Sequence, residues 1–226
     1  MPSSNPDLKI VEIKAYPTSF PVKPEDSVSL GVGRAVKRDA IIVKVTTAGG
    51  LVGWGESHHG RAPGAVAALV NTSLRQLTLG MNAADVVGVW KKIYDKQLAS
   101  HGMGAGTCLA MSGIDQALWD IRGKAAGWPL YRLLGGVSRP IPAYAGGVAL
   151  GYQPPAQLVE EARPLIEMGY KAVKLRIGLG PVGWADGLRD QRRDVAIIER
   201  ARDILGADFA IGADTDKTYE IGRAHV

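Results

Sequence analysis

From Pro142 onward the chain alternates strand-like and helix-like segments, and this rhythm constrains the fold more than any other feature. Residues 143–150 form a short apolar run, and Pro155 opens a helix whose Leu158, Val159, Ala162, Leu165 and Ile166 make a stripe. Strand patterns follow at 171–177 and 209–216, separated by an amphipathic helix pattern at 188–205. Strand, helix, strand, helix, strand implies a parallel sheet joined by right-handed crossovers.

The preceding residues obey a different rule. Residues 8–16 and 40–45 read as strands, and Ile41, Val43 and Val45 share one face. Ala48, Gly49 and Gly50 make a turn into a third strand at 51–56, so the second and third strands form a hairpin. The stretch 18–39 is rich in Pro, Gly, Ser and charge and reads as a long loop, functional or disordered. A helical, Ala-rich pattern covers 63–97 with a break at 80–82. A clearer helix is expected over 108–126, with Ala110, Ile114, Ala117, Leu118, Ile121 and Ala125 on one face and Gly127 and Pro129 as stop signals. The first region is therefore α+β.

Composition excludes several classes. Apolar residues make up 46% and charged residues 22%, as in a globular chain, and the net charge of +5 is spread among interleaved acids and bases. This patterning argues against nucleic acid as a partner. The longest uncharged run is broken by prolines and glycines, so no membrane association is expected. The single Cys108 cannot form an intrachain disulfide, and a reducing, cytoplasmic location is the expectation. Cys108 and the region 119–128 are read as packing residues. Gly102, Gly104 and Gly106 superficially suggest a phosphate loop, but no strand leads into them.

The chemistry-bearing residues lie on the second and third strands of the alternating region. On 171–177, Val173, Leu175 and Ile177 point one way and Lys174 and Arg176 the other. Parallel strands are normally apolar on both faces, so two cations on one face call for water, acids or a ligand. The next strand runs through Ala210 and Gly212 to Asp214 and Asp216 on one face, small residues leading to acids at the carboxyl end. In α/β sheets ligands bind at that end, and carboxylate oxygens suit magnesium. Solvated charges and ordinary turn residues are the competing reading of the same letters.

The stretch AMSGIDQALWDIRGKAAGWPLYRLLGG at 110–136 resembles the signature of the mandelate racemase and muconate lactonizing enzyme family of the enolase superfamily. LVGWGE at 51–56 resembles the third strand of that family's capping domain, and KAVKLRIG at 171–178 its second barrel strand. The resemblance implies an α+β capping domain with its linker helix at 1–136. The start of a modified (β/α) TIM-type barrel would follow at 137–220. Three of the eight barrel strands are identifiable, so the resemblance implies a truncated barrel. The tail 221–226, IGRAHV, spells one reading frame of a common sequencing adapter and is expected to be non-native.

The resemblance further implies one Mg2+ ion and abstraction of the proton next to a substrate carboxylate, through an enediolate. Asp214 matches the first metal ligand, and Lys174 matches the first lysine of a K-x-K motif, which contacts the substrate carboxylate. Arg176 stands where the second lysine, often a base, would be, and a guanidinium is a poor proton acceptor. A racemase needs a base on each face of its substrate, so this departure favours dehydration of a sugar acid. Racemase, epimerase and cycloisomerase chemistry stay open, as does a non-catalytic binding module, and the short chain itself is expected to be inactive. Substrate contacts are further expected from Asp216, from His58 and His59 after the third strand, and from Arg34 beside the loop that resembles the cap's specificity loop. The resemblance also implies a homo-oligomer when the barrel is complete.

Overall fold

The computed structural model describes residues 7–24, 27, 29–30, 33–34, 36–102, 104–146, 155–177 and 191–214. The chain divides into two compact units, one comprising Met1–Pro21 and Lys37–Ser138, the other Val22–Val36 and Arg139–Val226.

The first unit is built on a three-stranded antiparallel sheet. Strand β1 (Ile10–Pro21) is followed, beyond the two-residue strands β2 (Ser29–Leu30) and β3 (Gly33–Arg34), by β4 (Lys37–Thr47) and β5 (Val52–Ser57). The order is β1-β4-β5, and Val43 pairs with Ala15 on one side and Gly55 on the other. Much of the expected 18–39 loop is strand, because β1 continues to Pro21 and pairs residue by residue with β4 back to Lys37. Thr18, Ser19 and Phe20 have side chains compatible with an extended ladder, and the Ser19 hydroxyl donates to Asp39 at 2.7 Å across it. The β2–β3 hairpin lies in the second unit.

Helix α1 (Pro63–Leu69) runs through a π turn at Val70–Leu74 into α2 (Arg75–Thr78). The expected break follows at Gly80, whose φ of +83° suits glycine. Helix α3 (Val86–Ile93), N-capped by the Asp85 carboxylate accepting from Gly88 N at 3.0 Å, continues through a second π turn to α4 (Ala99–His101). Helix α5 (Gly104–Ala126) begins four residues earlier than its apolar stripe suggested, so Gly104 and Gly106 are helical. Gly127, at φ +66°, ends it, and α6 (Leu130–Leu133) follows Pro129.

The core lies between sheet and helices. Ile13, Ala15, Ile41, Val43 and Val45 are buried with Ala110, Ile114, Ala117, Leu118 and Ile121 of α5. Ala125, expected on that face, is exposed, because the stripe has rotated off the sheet by the helix's last turn. Cys108 is exposed and Trp128 is half exposed, so neither is a core packing residue, whereas Trp119 does pack against the core.

Three glycines let α5 approach β5 closely. A Cβ at Gly53 would strike the carbonyl of Ala117, one at Gly55 that of Gly113, and one at Gly113 the Ser57 hydroxyl. The spacing of polar groups then matches across the contact. Gln116 Oε1 accepts from Glu56 N at 3.1 Å, and Asp120 Oδ2 accepts from Trp54 N at 2.9 Å. Lys124 Nζ donates to Val52 O at 2.8 Å and to Asp120 at 2.6 Å. Four helical residues rise about 6 Å and two strand residues about 6.7 Å, so every fourth helix side chain meets every second strand residue. On the opposite side of the sheet, Asn71 in the first π turn accepts from Ala15 N at 2.7 Å and donates to Ala15 O at 3.0 Å. Backbone groups on both sheet edges are thus met by side chains, which blunts edge pairing.

The second unit is a β/α arrangement. After α7 (Pro155–Glu167), strand β6 (Ala172–Arg176) is joined through α8 (Gln191–Leu205) to β7 (Ala210–Asp214), and β6 and β7 pair in parallel. On the other side of β6, Ala145 forms a parallel bridge to Val173, with Lys174 N donating to Ala145 O at 2.8 Å. The Ala145 bridge, β6 and β7 therefore lie parallel in chain order, while residues 147–150 of the expected apolar run lie outside the described residues. Val173, Leu175 and Ile177 are buried with Ile197 and Ala201 of α8. Arg202 closes the end of α8 by donating to the carbonyls of Gly206, Ala207 and Phe209 at 2.6–3.0 Å.

Candidate active site

Parallel pairing sets Lys174 beside Gly212 and Arg176 beside Asp214, so the alternation of each strand brings the three charged side chains to one face. Lys174 Nζ lies 2.9 Å from Asp214 Oδ2, and Arg176 Nε lies 3.7 Å from the same oxygen. Their side chains are 30%, 22% and 27% exposed, which leaves the cluster half-shielded yet reachable from solvent. Two cations thus approach one carboxylate oxygen on this face.

Glycines flank Lys174 on both sides, Gly212 on β7 and Gly146 next to the Ala145 bridge. A Cβ at Gly146 would come within 3.4 Å of Lys174 Cε, and one at Gly212 within 3.8 Å of Lys174 Cγ. Lys174 Nζ also lies 5.9 Å from the centre of the Tyr144 ring. The sequence reading missed Tyr144. Only the parallel register, which sets Ala145 against Val173, reveals that Tyr144 reaches the same lysine.

The remaining expected residues lie elsewhere. His58 and His59, in the first unit, stack with ring centres 4.6 Å apart and planes 18° from parallel. His58 Nδ1 accepts from Gly60 N at 3.0 Å and His59 Nδ1 from Arg61 N at 2.9 Å. In the neutral rings Nε2 then carries the proton, so each offers a donor and not a base in this arrangement. The turn is tight enough to hold Arg61 at φ +63°. Arg34 lies in β3, and its side chain falls outside the described residues, as do Asp216 and the tail 221–226.

Asp214 offers an oxygen donor of the kind magnesium takes. Among the described residues no three His, Cys, Asp or Glu side chains gather as a metal site. The described residues therefore fit one ligand of such a site and not a complete one. No helix among them is long and apolar enough to cross a membrane.

An α+β layer followed by parallel β/α units, with cations and a carboxylate at the strand ends, is the N-terminal half of an enolase-superfamily architecture. Residues 12–135 match the mandelate racemase / muconate lactonizing enzyme N-terminal domain, and the chain belongs to that family. It is 30% identical over 220 residues, 96% of its length, to 3,6-anhydro-alpha-L-galactonate cycloisomerase of Streptomyces coelicolor, covering 56% of that protein. It is 34% identical to D-galactonate dehydratase of Pectobacterium atrosepticum over 77% of this chain and 44% of that one. The crystal structure of an enolase-superfamily member from Polaromonas sp. JS666 matches with a TM-score of 0.84 at 48% identity, over 95% of this chain and 54% of that one. A racemase from Streptomyces coelicolor A3(2) with bound magnesium matches with a TM-score of 0.77 at 27% identity, over 95% and 57%. The chain spans about half the length of the curated relatives it matches.

Proposed function

We propose that the protein to which this chain contributes its cap and first barrel strands removes the proton α to the carboxylate of a sugar acid and expels the β-hydroxyl as water. The observation that carries the reading is the cluster of Lys174, Arg176 and Asp214 on one face at the carboxyl ends of adjacent parallel strands. Sugar-acid dehydratases among the relatives support it.

The chemistry requires charge in a fixed place. A proton next to a carboxylate is barely acidic, because its removal puts a second negative charge on the carboxylate oxygens. Lys174 binds one of those oxygens and holds positive charge there throughout. Arg176 binds or orients the substrate, or tunes Lys174, since its guanidinium keeps its protons. The base is a further residue, a histidine in the simplest scheme. It takes the α-proton and then delivers a proton to the departing β-hydroxyl, so that the Cβ–O bond breaks, water leaves and an enol remains to become the 2-keto-3-deoxy acid. Asp214 is the proposed first magnesium ligand, and when bound the ion would supply Lewis-acid stabilisation of the same oxyanion. The polar turn at His58 and His59, with Arg34 and Asp216, is proposed to contact hydroxyls of the substrate. A cytoplasmic homo-oligomer is the proposed context, and residues 137–220 are the proposed start of the barrel.

A cycloisomerase reading stands second because such a relative aligns along 96% of the chain. A panel of sugar acids incubated with magnesium and the product of the genomic reading frame that contains this chain separates the readings. Formation of a 2-keto-3-deoxy acid supports dehydration. Isomerisation of an anhydro-sugar acid without net loss of water supports the second reading. No turnover of any panel member contradicts both and leaves a binding module.

A further inference from the structure

We propose that Tyr144 is a positioning residue for Lys174, holding its ammonium between an aromatic face and the Asp214 carboxylate. Lys174 Nζ sits 2.9 Å from Asp214 Oδ2 and 5.9 Å from the Tyr144 ring centre, within the range in which a ring quadrupole attracts a cation. Gly146 makes this possible. A Cβ there would come within 2.9 Å of the Tyr144 ring and 3.4 Å of Lys174 Cε, so a side chain at 146 would push ring and lysine apart. On the other side, Gly212 of β7 leaves open the space beside Lys174 Cγ, where a Cβ would make ordinary contact at 3.8 Å. With a long flexible stem and glycines on both flanks, Lys174 meets few side-chain walls among the described residues. The ring and the carboxylate supply the two missing restraints. This inference deepens the reading of Lys174 as the carboxylate-binding cation and rests on it for its functional meaning.

The test is made on this full chain and does not read turnover, so it stands or falls apart from the proposed reaction. The Cε protons of Lys174, assigned by comparison with a Lys174→Arg chain, are expected upfield of their free position in proton–carbon spectra because of the ring current. Tyr144→Leu is expected to abolish that shift and to speed acylation of Lys174 by an N-hydroxysuccinimide ester about two- to fivefold relative to Lys171. Tyr144→Phe retains both signatures, since the ring face and not the hydroxyl is responsible. Gly146→Ala, which keeps the tyrosine but displaces it, behaves like Tyr144→Leu. Tyr144 is 57% exposed, so its substitution is tolerated by the fold. A Tyr144→Leu chain with unchanged shift and acylation rate, a Tyr144→Phe chain that behaves like Tyr144→Leu, or a Gly146→Ala chain that behaves like wild type would each overturn the proposal.

Discussion

Asp115 lies on α5, and burial pushes its carboxyl above the usual range. A raised acid is favoured in its neutral form when folded, so its stabilising contribution is complete below the unfolded value and is lost as pH rises through the folded one. Asp115→Asn is therefore expected to raise the melting temperature at pH 7, with the gain shrinking as pH falls through the raised folded value and absent below about pH 4, as thermal unfolding across that range would read. Glu12 works in the opposite sense, because hydrogen bonds from Lys44 and Thr46 hold its carboxyl below the usual range. Its contribution is present at neutral pH and is lost as pH falls through the lowered folded value. Glu12→Gln should thus cost stability at pH 7 and little at low pH.

At the scale of elements, the contact between β5 and α5 carries the clearest expectations. Asp120→Ala would leave the Trp54 amide without its acceptor and Lys124 with only the Val52 carbonyl, and should cost about 1–3 kcal/mol in urea unfolding. Gly55→Ala would drive a methyl into the carbonyl of Gly113, and a cost of about 1–3 kcal/mol or more is expected because backbone, not a flexible side chain, must give way. Both segments were legible as elements, since alternation and the helical stripe are local signals. Their mutual fit was not, because it depends on matching a helix repeat to a strand repeat at residues 60 or more positions apart. The extension of β1 and β4 through 18–21 and 37–39 was hidden for a related reason. Prolines and charges mark a loop locally, while pairing with the partner strand overrides them. In the site, Lys174, Arg176 and Asp214 could be grouped from alternation alone because parallel neighbours keep their ends together. Tyr144 could not, because its partner depends on a single bridge between Ala145 and Val173.

At the scale of the whole molecule, the described residues of the two units form cores of different size. The first gathers 21 buried apolar residues, whereas Val173, Leu175, Ile177, Ile197 and Ala201 form the cluster in the second. Amides of β4 and α5 are accordingly expected to exchange with deuterium more slowly than those of β6 and β7, because local opening tracks the apolar area that protects a segment. Equal protection in both would show that the second unit draws stability from contacts beyond its described core. The family membership of the chain and the face shared by Lys174, Arg176 and Asp214 together make removal of a carbon-bound proton the central claim. Its most direct measurement is exchange of the α-proton of sugar acids in D2O, followed by proton NMR, with the product of the genomic frame and its Lys174→Met variant. Loss of the α-proton signal or formation of a 3-deoxy product labelled with deuterium is expected, reduced about 100-fold or more by the substitution. Undiminished proton removal by the Lys174→Met variant would contradict it.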